Sequence, residues 1–221
     1  MRKWWPLAAV CAGAFMLLVD VTIVNVALPD MARELHTTFG DLQWVIDLYA
    51  LVLGAVVLTV GSIADRVGRR RVYLLGLVVF AASSLTCGLA RNVSVLIAAR
   101  GVQGLGAAAM FATTIALISS SYSGRDRGVA FGAWGAVNGA AAAAGPIIGG
   151  LLTAHFGWRW IFLVNLPVSV VAIALTLLVV QESRDPRSHG VDLPGMASFT
   201  VAATASRAMV SPDAHEPRIS A

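Results

Sequence analysis

The sequence predicts an all-α membrane protein with six transmembrane helices. Three observations carry that prediction: an apolar composition, six long uninterrupted apolar runs, and basic residues gathered in alternate connections. Of the 221 residues, 57% are hydrophobic and only 13% are charged, where soluble chains average roughly 45–50% and about 25%. A chain this apolar is not disordered in water either. At about 20 residues per span, the length admits six or seven crossings.

The first run follows Arg2 and Lys3, an arrangement shared with secretory leaders. It continues from Trp4 to Leu28, longer than the roughly 7–15 apolar residues of a leader's core. Leu7-Ala8-Ala9-Val10-Cys11 resembles a lipoprotein cleavage site, but Val10 is bulky where a small residue is required. An uncleaved first helix over Trp5–Leu28 is therefore expected. The remaining runs are Leu42–Ala64, Val72–Ala90, Val93–Ser120, Val129–Leu152 and Trp160–Val180. Each can cross a hydrocarbon layer of about 30 Å, and helix satisfies every backbone group there. A β-barrel is excluded because the runs do not alternate in polarity.

The connections set the orientation. One set of ends carries Arg2, Lys3, Arg66, Arg69, Arg70, Arg71, Arg125, Arg127, Arg184 and Arg187; the other carries Arg33, Arg91 and Arg159. By the positive-inside rule both termini are expected in the cytoplasm. Trp4 and Trp5 at one face, with Trp44, Trp158 and Trp160 at the other, fit interfacial belts. The net charge of +4 is thereby accounted for without nucleic acid. Cys11 and Cys87 lie inside apolar runs and read as small buried hydrophobes, so neither a disulfide framework nor a metal site is expected. The six-helix unit is assigned to 1–186. A cytoplasmic polar linker and tail follow over 187–221, where the apolar stretch Met196–Ser206 is too short to span.

Three ionisable residues fall inside the spans: Asp20 in the first, Asp47 in the second and Arg100 in the fourth. Such a charge costs at least about 2.5–3.5 kcal/mol at the membrane centre, so it points to function by default. Helical rise places Asp20 about 12 Å below the outer end of its run, and Asp47 and Arg100 roughly 6–10 Å below the same surface. Two readings stay open. Asp20 or Asp47 neutralises Arg100 as a structural pair, or a carboxylate there loads and releases a proton, since burial favours the neutral acid and a nearby Arg the charged one. A pair that opens on protonation satisfies both. Asp20 is the stronger candidate, because Asp47 lies nearer the interface.

The connection after the second run reads Gly61-Ser62-Ile63-Ala64-Asp65-Arg66-Val67-Gly68-Arg69-Arg70-Arg71. Its glycines permit a tight turn and its arginines suit anionic headgroups. As a string it resembles the loop signature of the major facilitator superfamily. Leu18-Val19-Asp20-Val21-Thr22-Ile23-Val24-Asn25-Val26-Ala27-Leu28-Pro29 resembles the first-helix motif of the fourteen-helix drug:proton antiporters. Leu96 to Ala107, with Arg100, Gln103, Gly104 and Gly106, is similar to their fourth-helix motif. Ala141 to Gly150, ending Gly145-Pro146-Ile147-Ile148-Gly149-Gly150, resembles the fifth-helix motif of antiporters, and Gly157 to Asn165 the approach to the sixth helix. Gly135/Gly139 and Gly145/Gly149 are also small-xxx-small pairs that let a helix approach a neighbour.

The resemblance implies one major-facilitator half, a 3+3 inverted repeat, equivalent to the N-terminal half of a multidrug exporter driven by the proton gradient and using no cofactor. It implies proton coupling at Asp20 and Arg100, with Asp47 as a further candidate. A cytoplasmic gate is implied at Gly61, Asp65, Arg66, Gly68, Arg69 and Arg70, and an antiporter helix around Gly145, Pro146, Gly149 and Gly150. Asn25, Gln103 and Asn138 are the polar side chains expected along a substrate pathway. The expected partners are membrane lipid, a small lipophilic substrate, and a missing second half or a second copy, toward which the loop and fifth-helix motifs would face. No nucleophile–base set points to an enzyme. The expected location is a bacterial inner membrane. A truncated, non-transporting fragment and a scaffold or regulatory subunit for another transporter are the alternatives.

Overall fold

The computed structural model describes residues 2–184, so the linker and tail expected over 187–221 lie outside the described residues. After a single turn of 3-10 helix at Arg2–Trp4 come α1 (Trp5–Leu35), α2 (Phe39–Val67), α3 (Arg69–Gly88), α4 (Val93–Ser121), α5 (Gly124–Phe156), α6 (Trp160–Leu163) and α7 (Asn165–Val179). Six stretches are long and apolar enough to cross a membrane, the sixth being Trp160–Val179, which joins α6 to α7. Among the described residues there is no strand.

Local chemistry sets the helix ends. Pro6 in the first turn of α1 lacks only a donor that has no helical partner there. α1 then runs through Pro29 to Leu35, past the expected end at Leu28, and stops at His36 in the left-handed region. Thr38 and Asp41 form a reciprocal capping box on α2, and the Asn92 side chain accepts from the Val95 amide to open α4 at 2.9 Å. The α2–α3 turn passes through Gly68 at φ 128°, which favours glycine. Beside its φ, Gly68 is crowded: a Cβ there would lie 2.6 Å from Glu182 Cδ.

α4 packs against α2 and α3, while α1 packs against α5 and α7. In their most apolar stretches α1 and α4 are 67% and 61% buried, whereas α2 and α5 are 6% and 17%. α1 and α4 therefore form the interior of the bundle, and α2 and α5 present most of their apolar surface outward. Close approach depends on missing side chains. A Cβ on Gly104 would lie 2.7 Å from the Tyr49 carbonyl of α2, and one on Gly106 2.7 Å from the Phe80 nitrogen of α3. α4 can thus sit between two helices at once.

Three expectations need correction. The sixth span is not uninterrupted: its helical hydrogen bonding lapses just after Val164, which itself keeps helical dihedrals, and Pro167 has no N–H for the carbonyl four residues back. Trp158 is not exposed to the surroundings as a belt residue is; it is buried, its indole Nε1 donating to Glu34 at 2.7 Å, with Arg159 pairing to the same carboxylate. Of the two small-residue pairs in α5, only Gly145/Gly149 makes a close approach, since a Cβ at Gly135 or Gly139 would meet nothing within 4 Å.

The ends of the bundle are tied separately. At the end bearing the α2–α3 turn, the Tyr122 hydroxyl accepts from the Leu7 amide and donates to the Lys3 carbonyl, while its ring stacks on Trp4. Burial pushes the Tyr122 phenol up from its ordinary value. At the opposite end Arg159 also donates to the Ala90 carbonyl at 3.1 Å, joining the α3–α4 connection to the clamp on Glu34.

Candidate functional site

Asp20 is fully buried in α1, and every helix except α5 contributes to its immediate setting or to that of its partner. Arg100 of α4 donates from Nη1 to Asp20 Oδ2 at 2.6 Å, and both side chains are 1% exposed or less. Oδ1 accepts two amides: Gln103 Nε2 at 3.0 Å and Asn165 Nδ2 of α7 at 2.9 Å. Gln103 turns its oxygen to Arg100 Nη1 at 2.7 Å and its nitrogen to Ser84 Oγ of α3 at 2.8 Å. That orientation is the one in which each amide atom meets a complementary group.

The guanidinium is held on its other sides as well. Nε donates to the Val45 carbonyl of α2 at 3.1 Å. Its carbon lies 4.0 Å from the centroid of the Tyr49 ring and 5.9 Å from that of Phe162. A desolvated guanidinium over an aromatic face gains on the order of 2 kcal/mol. Among the described residues the Tyr49 hydroxyl itself has no hydrogen-bond partner.

This geometry decides what the pair can do. Among the described residues Oδ1 accepts two donors, whereas Oδ2 accepts one and keeps a lone pair open. Loss of the Asp20 charge leaves the Arg100 charge without its counter-ion. Through these donors and their own partners the carboxylate is linked by hydrogen bonds to α2, α3, α4 and α7.

The remaining candidates separate into distinct places. Of the two carboxylates that could have paired with Arg100, the structure selects Asp20. Asp47 is half-buried and accepts from Gln43 one turn earlier at 3.1 Å. Asn25 is exposed and donates to its own helix at the Val21 carbonyl. Asn138 is half-buried on α5 and takes no part in the hydrogen bonds around Asp20.

Gly145 and Gly149 do not face outward as expected; they lie against α1. A Cβ on Gly145 would fall 1.8 Å from Thr22 Oγ1, and one on Gly149 2.8 Å from Ile23 Cγ1. Pro146 is exposed, and Gly150 meets nothing within 4 Å.

The α2–α3 turn is likewise engaged within the chain. Asp65 pairs with Arg69 at 2.7 Å. Arg70 donates to the Thr176 and Leu177 carbonyls at the end of α7, at 3.3 and 2.8 Å. Glu182 accepts from the Arg70 amide at 3.0 Å and lies 3.7 Å from Arg71, and the Arg69 amide donates to the Ser183 carbonyl. Gly61 packs loosely on Ala112, and Arg66 is exposed at the surface of the same turn.

Sequence reasoning missed Asn165, Ser84, Tyr49 and Glu182. Asn165 carried a signal, being the single polar side chain between Trp160 and Ser169. Ser84 and Tyr49 carried none, because a hydroxyl or an aromatic ring is unremarkable in an apolar span.

The model of the Major Facilitator Superfamily matches residues 10–215. The chain belongs to the Major Facilitator Superfamily. Among superfamily relatives, the multidrug resistance protein Stp of Mycobacterium tuberculosis is 43% identical over 197 residues, covering 89% of this chain and 37% of Stp. The riboflavin transporter RibZ of Clostridioides difficile is 35% identical, covering 92% of this chain and 45% of RibZ. The tetracenomycin C resistance and export protein of Streptomyces glaucescens is 37% identical, over 85% of this chain and 35% of its own length. The chain spans less than half the length of these relatives. A crystal structure of the peptide transporter POT in complex with sulfate superposes with a TM-score of 0.71 at 15% identity, covering 93% of this chain and 44% of that one, which shows the fold. Family and fold mark a multi-pass membrane protein.

Proposed function

We propose that the chain is the six-helix half of an exporter that moves small lipophilic compounds, drugs among them, out of the cell in exchange for protons. The observation that carries this reading is the buried Asp20–Arg100 pair, 2.6 Å apart in a span, with donors converging on both carboxylate oxygens. An ionisable pair at that depth is costly and marks a functional site, and the relatives named for drug resistance and export supply the direction and class of cargo. The proton gradient is the driving force, with no bound cofactor.

The outward apolar faces of α2 and α5 are where a second half, or a second copy of this chain, completes the transport path. The relatives are more than twice as long. The basic end, with Arg69, Arg70 and Arg71, lies in the cytoplasm by the positive-inside rule. There Asp65 and the arginines form the cytoplasmic gate, already gripping the end of α7. The location is a bacterial plasma membrane. A scaffold or regulatory subunit for another transporter is the second reading.

Dye efflux from energised membrane vesicles containing the chain tests both. Proton-dependent efflux that vanishes in Asp20→Asn supports the proposal, and efflux unchanged in that variant removes Asp20 from it. Absence of efflux, with a stoichiometric transporter co-purifying, supports the scaffold.

A further inference from the structure

Asp20 Oδ1 accepts two amides that belong to different bodies. Gln103 shares α4 with Arg100 and is hydrogen-bonded to it, so those two donors stay together. Asn165 is the first residue of α7, just past the break at Val164, and is the only contact in this hydrogen-bond set made from the sixth span. The break is anchored on its far side, where Ile161 and Phe162 are buried and Trp158 and Arg159 hold Glu34. The first turn of α7 can therefore be withdrawn from Asp20 without disturbing the Arg100 pair.

We propose that Asn165 is the positioning residue through which the sixth span controls proton occupancy at Asp20; this rests on the reading of Asp20 as the proton-carrying carboxylate. With Asn165 in place, Oδ1 is doubly occupied and the charged form is favoured. When Asn165 leaves, the charged form loses a donor, and a proton from water binds the carboxylate to give the neutral acid. Arg100 keeps its charge, so the pair passes from net zero to net +1. Ser84 Oγ, which already accepts from Asn165 Nδ2 at 3.4 Å and from Gln103 Nε2 at 2.8 Å, is the acceptor that retains the amide when it leaves Asp20.

The charged and titratable groups facing this site are few. Arg100 comes from α4, Tyr49 from α2, and Cys87 from α3 through its 3.9 Å contact with Gln103. α6 and α7 contain no titratable side chain, and α5 carries them only near its two ends. Control of the proton by the sixth span thus has to pass through a neutral donor, and Asn165 is in the position to supply it.

The test is an infrared pH titration of the full chain in lipid nanodiscs, following the protonated-carboxyl band assigned by its loss in Asp20→Asn. Asn165→Ala is expected to bring the band in at higher pH, by about one unit, a tenfold gain in proton affinity. Ser84→Ala keeps the Asn165 bond to Asp20 but removes the acceptor that competes with Asp20 for the Asn165 and Gln103 amides, and is expected to shift the band to lower pH. Opposite shifts support the proposal; general loosening of the core moves both variants the same way and overturns it, as does an unchanged midpoint in Asn165→Ala. Should that variant fail to fold, the direction of the Ser84→Ala shift decides alone. If no band sensitive to Asp20→Asn exists at any pH, the underlying reading of Asp20 fails instead.

Discussion

The hydroxyl of Thr22 in α1 occupies the space that a side chain at Gly145 of α5 would need, 1.8 Å from the position of its Cβ. Thr22 is held there by donating to the carbonyls of Leu18 and Val19 at 3.0 and 3.1 Å. The α1–α5 contact is therefore set by a hydroxyl fixed to its own helix and a residue with no side chain. Gly145→Ala is expected to cost about 1–3 kcal/mol by overpacking. Gly139→Ala, in open space, is expected to be neutral or to gain up to about 1 kcal/mol from helix propensity. Thermal unfolding in detergent, compared between the two variants, checks both.

Asp20 and Arg100 are expected to behave as one unit. Removing either alone leaves a buried charge or its donors unpaired, and Asp20→Ala or Arg100→Ala should each destabilise by roughly 3–5 kcal/mol. The double variant should be less destabilised than the sum. A double-mutant cycle of unfolding free energies measures that coupling, and strict additivity would show that the pair contributes nothing jointly. Arg100→Lys keeps the charge but has no counterpart to the Nε–Val45 bond, so it should recover only part of the loss.

Glu182 ties the segment after α7 to the α2–α3 turn by accepting from the Arg70 amide. Glu182→Ala is expected to speed amide hydrogen exchange at Arg70, with the rest of α3 unchanged. The same substitution removes the carboxylate that crowds Gly68, but not its positive φ. Gly68→Ala should therefore stay destabilising in the Glu182→Ala background, though by less than in the native chain. Exchange read by mass spectrometry and melting of the double variant decide the matter.

At the opposite end, Trp158→Phe keeps the buried ring but loses the 2.7 Å bond to Glu34. A hydrogen bond to a charged group is worth about 1.5–3 kcal/mol, and Arg159 remains on the same carboxylate. The lower end of that range is the expected loss, read from unfolding.

Much of the fold was legible because lipid leaves the backbone few options. Continuous apolar runs must be helices there, so the six spans followed from hydropathy alone. The break at Val164 was less legible: Pro167 marked it, but Pro29 and Pro146 lie within α1 and α5, which continue through them. A proline removes one donor wherever it stands, and only packing decides whether the helix recovers. The candidate site was half legible. Charged residues in apolar runs announce themselves, so Asp20, Arg100 and Gln103 stood out, whereas Ser84 and Tyr49 acquire meaning only from what lies beside them.

The sequence by itself determined the six apolar spans, because composition is a property of the chain, and its motif strings carried the resemblance to the family. Tertiary structure alone decided that Asp20 rather than Asp47 neutralises Arg100. It also decided that Gly145 and Gly149 serve the contact with α1, and that Trp158 is buried beneath an ion pair. The reason is geometric. Depth in the membrane can be counted along a helix at a fixed rise, but the direction in which a side chain points depends on the rotation of each helix against its neighbours. That rotation is set by contacts between residues far apart in the chain.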